Sequence, residues 1–348
     1  MWSCGYNGYG QLGLSDTVNR STFTSVPIIN IKSIFTYGGV SIALKVDGTV
    51  LSVGKNAQGQ LGLSDNVSRS TFTSVPIINN VKSISCGYNH SIALKTDGTV
   101  WTVGLNNQGQ LGLSDVNNRL TFTSVPGLSS IKSIAGGANH SIALKVDGTV
   151  WTVGSNGSGQ LGLNDIANRS TFTSAPGLSD VKLMVGGNTH SIALKTDGTV
   201  WTVGSNTYGQ LGLSDIVNRS TFTSVPNINN VRTIAGSASY SIALKTDGTV
   251  WTVGANTSGQ LGLSDNVYRS TFTSVPGLNN VKSIACGYGH VFVLKTDGTV
   301  WTVGQNTTGQ LGFNDLVNRS TFTSVPGLTS VKSIAAGYTY NVAWTRME

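Results

Sequence analysis

Glutamate is almost missing from this 348-residue chain: the single one is Glu348, at the very end. Paired carboxylates of the glycosidase kind would have to come from aspartate alone. Cysteine is scarce too, and Cys4, Cys86 and Cys286 show neither paired nor metal-ligand spacing. Cys86 and Cys286 share one phase of a repeat four units apart, so the thiols read as buried and free, which leaves the redox compartment open. No apolar run is long enough to span a bilayer. Met1-Trp2-Ser3-Cys4-Gly5 lacks the basic and apolar regions of a signal peptide, as expected of an excised domain or a compact gene product. No compartment follows from this, and a cytoplasmic or virion-associated setting fits equally. Hydrophobic residues make up 39%, and Gly, Ser, Thr and Asn fill much of the rest, a composition suited to short strands and tight turns.

What the chain has in excess is repetition. Gln-Leu-Gly falls at Gln11, Gln60, Gln110, Gln160, Gln210, Gln260 and Gln310, a spacing of 49 once and then 50 five times. Length alone suggests two domains, but the unbroken repeat makes residues 1–348 one closed or stacked unit. A period of this size marks an array of like units, each burying its apolar face on its neighbours.

Residues 81–126 serve as the specimen. Val81–Cys86 reads as a short strand ending at Gly87, where small residues suit a crowded position near an axis. His90–Lys95 alternates with period two and predicts a second strand. Asp97-Gly98 marks a tight hairpin, with both central positions able to take positive φ, and Thr99–Val103 returns. A polar loop runs from Gly104 to Arg119, and Thr121–Val125 is the fourth strand, stopped by Pro126. Four antiparallel strands per repeat, seven repeats and no helix predict an all-β, seven-bladed β-propeller.

The ends of the chain predict how the ring closes. Asp-Gly-Thr hairpins begin at Asp47, Asp97, Asp147, Asp197, Asp247 and Asp297, six rather than seven. The last repeat stops before its hairpin and the first starts just after it. One blade is therefore shared, giving blades at about 31–76, 81–126, 131–176, 181–226, 231–276, 281–326, and 331–348 with 1–27. Without sharing, both ends would expose unpaired strand edges.

Cys86-Gly87-Tyr88-Asn89-His90-Ser91-Ile92-Ala93-Leu94 resembles the signature of the regulator of chromosome condensation repeat, and so does Gly-x-Asn-x-x-Gly-Gln-Leu-Gly at Gly104 to Gly112. The resemblance covers essentially the whole chain. Kelch propellers share the period, but their double glycine is sporadic here, at Gly38-Gly39, Gly136-Gly137 and Gly186-Gly187. The resemblance implies a seven-bladed propeller. It also implies a founder that exchanges nucleotide on a small nuclear GTPase and binds chromatin, through an inserted β-wedge and a basic N-terminal tail. Repeats of 49 or 50 residues leave no room for a wedge, and a chain that enters the repeat at once is expected to lack the tail. A related plant receptor senses ultraviolet light through tryptophans; Tyr88-Asn89, Ala138-Asn139, Asn188-Thr189 and Tyr288-Gly289 stand at those positions, so that chemistry is not carried over.

Repetition also weighs against catalysis. His90, His140, His190 and His290 hold one phase, with Tyr240 and Tyr340 in two other blades. One imidazole per blade does not converge on a metal ion, and a ring nitrogen bonded to a backbone carbonyl, which a Tyr hydroxyl can imitate, is the favoured reading. Trp2, Trp101, Trp151, Trp201, Trp251 and Trp301 form a ring that Leu51 interrupts, which points to packing between blades over a stacking platform. Asp-x-x-x-Arg pairs recur in all seven long loops, from Asp16/Arg20 to Asp315/Arg319, and read as loop organisers. No catalytic, metal or cofactor site is expected.

Two features remain for partners. Lys32, Lys82, Lys132, Lys182, Arg232, Lys282 and Lys332 ring one mouth of the channel, at the start of each innermost strand, within a mild net charge of +7. An anionic ligand or acidic protein patch fits there and nucleic acid is not expected; solvated strand ends are the plainer reading. The repeats differ from one another chiefly in the turn after the first strand and after Gly-x-Asn, where Tyr37, Tyr88, Tyr288, Tyr338 and Tyr208 are the contact candidates, although drift in tolerant loops leaves the same pattern. The expected function is a non-catalytic interaction, structural or adhesion propeller, a monomer or part of a larger assembly, of microbial or phage type. Nucleotide exchange or chromatin binding is the alternative.

Overall fold

The computed structural model describes residues 1–345; the last three residues of the expected final blade, Arg346, Met347 and Glu348, lie outside them. Seven four-stranded antiparallel sheets form a ring, a seven-bladed β-propeller. Blades are numbered here 1 to 6 from the sheet of residues 31–74 to that of residues 281–324. Blade 7 joins the two ends of the chain: Trp2–Gly5 lies between Arg20–Ser25 and Tyr340–Trp344, with Trp2 opposite Ala343 and Gly5 opposite Tyr340. The shared blade inferred from the missing hairpin is present.

In blade 2 the strands are Val81–Cys86, His90–Lys95, Val100–Gly104 and Arg119–Ser124. The outermost strand begins two residues before the expected Thr121 and ends one before Val125. A register shift between Thr102 and Gly104 lets Arg119 pair with Gly104, a feature that alternation alone does not reveal. The hairpin also differs from expectation. Only Gly98 is left-handed (φ 82°), and its N–H bonds Lys95 O at 3.1 Å. This is a type I turn followed by a left-handed glycine, and Asp97 serves as acceptor for the Thr99 N–H at 2.9 Å.

The core is seven interfaces, each shared by neighbouring blades. Between blades 1 and 2, Ile42, Leu44, Val50 and Leu61 meet Val81, Ile84, Ala93 and Phe122, with Trp101 packed on the edge. Trp101, Trp151, Trp201, Trp251 and Trp301 thus sit between blades as expected, though only half-buried, whereas Trp2 of the ring is exposed; Lys95 Nζ lies 5.1 Å from the Trp101 ring centre. Where Leu51 replaces the tryptophan, the equivalent Lys45 turns to Asp47 at 3.3 Å.

Each long loop is closed by its own side chains. In blade 2, buried Asn106 accepts from Leu111 N at 2.9 Å and donates to Asp115 O and Oδ1. Asp115 in turn takes the Asn117 N–H and the Arg119 guanidinium, the latter at 2.5 Å. The Asp–Arg pairs therefore organise loops, as their repetition implied. Deleting residues 1–5 removes a strand bonded on both sides. The thermal midpoint should fall by at least about 10 °C, a shift of several kcal/mol in a domain this size, and differential scanning calorimetry checks it.

Candidate functional site

The two mouths of the channel differ because strand direction sorts the residues. Inner strands start at one mouth, with the hairpins, and end at the other, with the turns around residue 88 and the long loops. Among the described residues the first mouth carries thirteen side-chain cations against seven carboxylates, and the second carries eight against seven.

At the second mouth the blades are joined by a repeated seam. His90 Nε2 lies 3.0 Å from Ser141 Oγ of the next blade, and Ser141 donates to Gln110 O at 2.7 Å. Because the serine proton is committed to the carbonyl, His90 donates through Nε2–H. The same arrangement joins His140 to Ser191 and His190 to Ser241, while His290 reaches Asn341 Oδ1 at 3.0 Å. The histidine partner is thus a side-chain oxygen of the next blade rather than the expected carbonyl. The two substitute tyrosines do reach carbonyls: Tyr240 bonds Gly287 O at 2.6 Å, and Tyr340 bonds Val40 O.

The four imidazoles are neutral. Burial pushes their pKa values down to about 4 at His90, His190 and His290, and to about 3 at His140, where His90 and His190 add to the shift. No Nδ1 of these histidines has a partner among the described residues. Among those residues, no group of three or more His, Cys, Asp or Glu is placed to hold a metal ion.

The seam explains the glycine before most turns and the two places where it is lost. A Cβ on Gly87 would lie 2.0 Å from His90 Cε1, so the packed imidazole demands glycine. Blade 1 has Val40 in the histidine phase, and Tyr37 then occupies the glycine phase. In blade 5, Ser237 coexists with Tyr240 because the turn opens, its N–H bond to Tyr240 O lengthening to 3.3 Å against 2.8 Å at Gly87.

Tyr37 reaches across the channel to Asn188 of blade 4, its hydroxyl donating to Oδ1 at 2.7 Å. It caps a channel cavity of about 250 Å³ lined by Phe35, Cys86, Ile134, Met184 and Cys286. Cys286 is accordingly half-exposed to that cavity rather than fully buried, while Cys4 and Cys86 are buried. The Tyr37 ring is half-buried, and desolvation raises its phenol pKa.

Around Tyr37 three more of the five candidate tyrosines gather, from blades 6, 7 and 2. Tyr288 stacks on Tyr338 with centroids 4.1 Å apart, and Tyr338 meets Tyr88 edge to face at 5.4 Å. Burial raises the Tyr338 pKa, and Tyr288, Tyr88 and Tyr37 reinforce the shift. Blades 3, 4 and 5 answer with Ala138, Asn188 and Ala238, so at this turn the ring is aromatic on one side only. Tyr208 stands apart, edge to face with Tyr268 at 5.4 Å. Comparing phases one residue after Gly and at the loop end would have found Lys55, Tyr6 and Tyr268, which sequence reasoning passed over. Lys55 lies over Tyr9 and Tyr88 at 5.5 and 5.3 Å; Tyr9 itself contacts Tyr6; and Tyr268 replaces an Asn of other repeats.

At the first mouth, Lys32, Lys82, Lys132, Lys182, Arg232, Lys282 and Lys332 are all exposed. Lys82 and Arg232 lean onto the next blade, the latter bonding Lys282 O at 2.9 Å. Lys332 precedes its strand, which starts at Ser333, and its N–H bonds Trp344 O at 3.0 Å.

This fold and seam define a propeller built from fifty-residue repeats whose blades are linked through the turn histidines. The chain belongs to the RCC1-like family: residues 1–276 match the RCC1-like domain, and residues 281–310 and 297–344 match the regulator of chromosome condensation (RCC1) repeat. Among solved structures it resembles yeast RCC1 (Prp20) in a structure with Kap60, with 21% identity and a TM-score of 0.91, covering 100% of this chain and 89% of that one. It resembles Prp20p from Saccharomyces cerevisiae, described with its binding properties to Gsp1p and histones, at 23% identity and a TM-score of 0.89, covering 100% and 91%. Human WBSCR16 follows at 22% identity and 0.89, covering 99% of both chains. At such identities the likeness is one of fold. A search of curated proteins found no match.

Neutral buried histidines make stability depend on pH. Their folded pKa values lie below the unfolded value of about 6.5, so the unfolded chain binds more protons between about pH 4 and 6.5 and stability falls as pH drops through that window. At pH 5 each histidine should cost about 2 kcal/mol relative to pH 7.5, and urea midpoints at the two pH values check this. The Tyr37/Val40 exchange gives a second expectation. Val40→His alone should clash, and a double-mutant cycle with Tyr37→Gly should show about 1–3 kcal/mol of favourable coupling.

Proposed function

We propose that this propeller is a non-catalytic interaction scaffold that docks a protein partner with the tyrosine half of its second mouth. The observation that carries this reading is the convergence of Tyr37, Tyr88, Tyr288 and Tyr338 from four consecutive blades in a ring that otherwise repeats. Tyrosines offer large contact area at low entropic cost and are enriched where proteins meet. Family membership supports a binding role, since yeast RCC1 is seen with Kap60 and Prp20p is described as binding Gsp1p and histones. The histidines support it too, because each is spent on a structural hydrogen bond and held neutral in the interior.

The basic mouth favours a second reading, in which an anionic ligand or acidic protein surface sits over the Lys32 ring, as in a chromatin-binding or exchange regulator. Affinity capture from the native source separates the two. Tyr88→Ser with Tyr338→Ser should abolish retention of the wild-type partner, while Lys32→Glu with Lys132→Glu should leave it. Loss with the charge variant, falling steeply with salt in the wild type, would favour the basic mouth instead. In a nucleotide-exchange assay on a small GTPase the protein should give no acceleration.

A further inference from the structure

Beside the tyrosine half lies a pocket of about 300 Å³ between blades 4, 5 and 6. Tyr208, Tyr268 and Tyr288 wall it, 40%, 44% and 40% exposed. Ser258, Gln260 and Gln305 line it as well, and none of its lining residues is charged.

Two loop bonds made in blade 4 are missing at this place. Asn218 Oδ1 accepts from Asn206 N at 2.8 Å in blade 4, and Asn318 does the same for Asn306, but blade 5 has Tyr268 in that phase. Gln160 and Gln210 donate through Nε2 to Ser155 and Ser205, but blade 5 has Ala255. Gln260 is only 4% exposed and its Oε1 is held by Ser258 N at 2.9 Å, so its Nε2 is left without a protein acceptor and faces the pocket. Opposite it, Gly289 leaves space at Gln305 Oε1, where a Cβ would sit 3.0 Å from that oxygen. The amides of Gln110 and Gln310 also lack an acceptor, but those are buried, whereas at Gln260 the amide opens into a cavity beside Tyr268.

We propose that this pocket binds a neutral sugar, one pyranose unit of a glycan. An amide donor and an amide acceptor facing one space suit neighbouring hydroxyls, which both donate and accept. The negative faces of the tyrosine rings attract the weakly positive C–H face of a pyranose. The uncharged lining offers nothing to a phosphate or carboxylate, and the volume is that of a small ligand pocket. The site stands apart from the protein-docking reading above, although Tyr288 borders both.

The test returns the pocket to the pattern of the other repeats. Ala255→Ser gives Gln260 its acceptor and Tyr268→Asn restores the loop bond, so the double variant should fold with an unchanged or higher thermal midpoint. Binding of a panel of neutral mono- and oligosaccharides is measured by saturation-transfer NMR and calorimetry. At least one should bind the wild type, and the double variant should bind it at least tenfold more weakly. The proposal is overturned if no neutral sugar binds, or if the double variant binds as well as the wild type.

Discussion

Everything at the second mouth depends on one close approach, that of an imidazole under a glycine. The His90 ring fits only because Gly87 has no side chain, and it lies there because its Nε2–H reaches the serine of the next blade. This contact joins adjacent sheets through side chains, fixes the tautomer and dries the ring enough to keep it neutral. It also dictates which residues vary together. Tyrosine in the histidine phase reaches past the serine to a carbonyl, and where Tyr240 does so, the next blade carries Val291 where serine would otherwise stand. Losing the histidine altogether, at Val40, frees the glycine position for a side chain that crosses the channel.

Function, on this account, is written in departures from the repeat. Seven equal blades would make a ring with no preferred side, and a partner would have seven equal ways to bind. Tyr37 and its aromatic neighbours break that equality over four blades, and Ala138, Asn188 and Ala238 stand at the same turn in the other three. The basic mouth breaks nothing: its cations are repeated almost perfectly, so it offers field without direction.

Much of the fold was legible in the sequence because repetition multiplies weak signals. One Asp-Gly-Thr is a suggestion, whereas six at a fixed phase and a missing seventh define both the blade and its closure. Strand ends were less legible, since the register shift at Gly104 moves the outer strand without altering its hydrophobic pattern. At the site, Tyr37, Tyr88, Tyr288 and Tyr338 were legible as departures, but their convergence was not, because side-chain direction at the axis depends on a one-residue phase difference between Tyr37 and Tyr88. Gln260 was invisible for a different reason. The glutamine is present in every repeat, and what its amide meets, Asn89 at Gln60, Ser155 at Gln160 and the pocket at Gln260, is set by neighbours that the repeat does not fix.

The most direct test of the claim that one half of the second mouth is the working surface is hydrogen exchange on the protein bound to its native partner. Protection should appear in the turns at Tyr37–Gly38, Gly87–Asn89, Gly287–Gly289 and Gly337–Thr339, and be absent from the equivalent turns of blades 3 and 4. Protection spread evenly over all seven turns, or confined to the strand starts around Lys32, Lys82 and Lys132, would contradict the account.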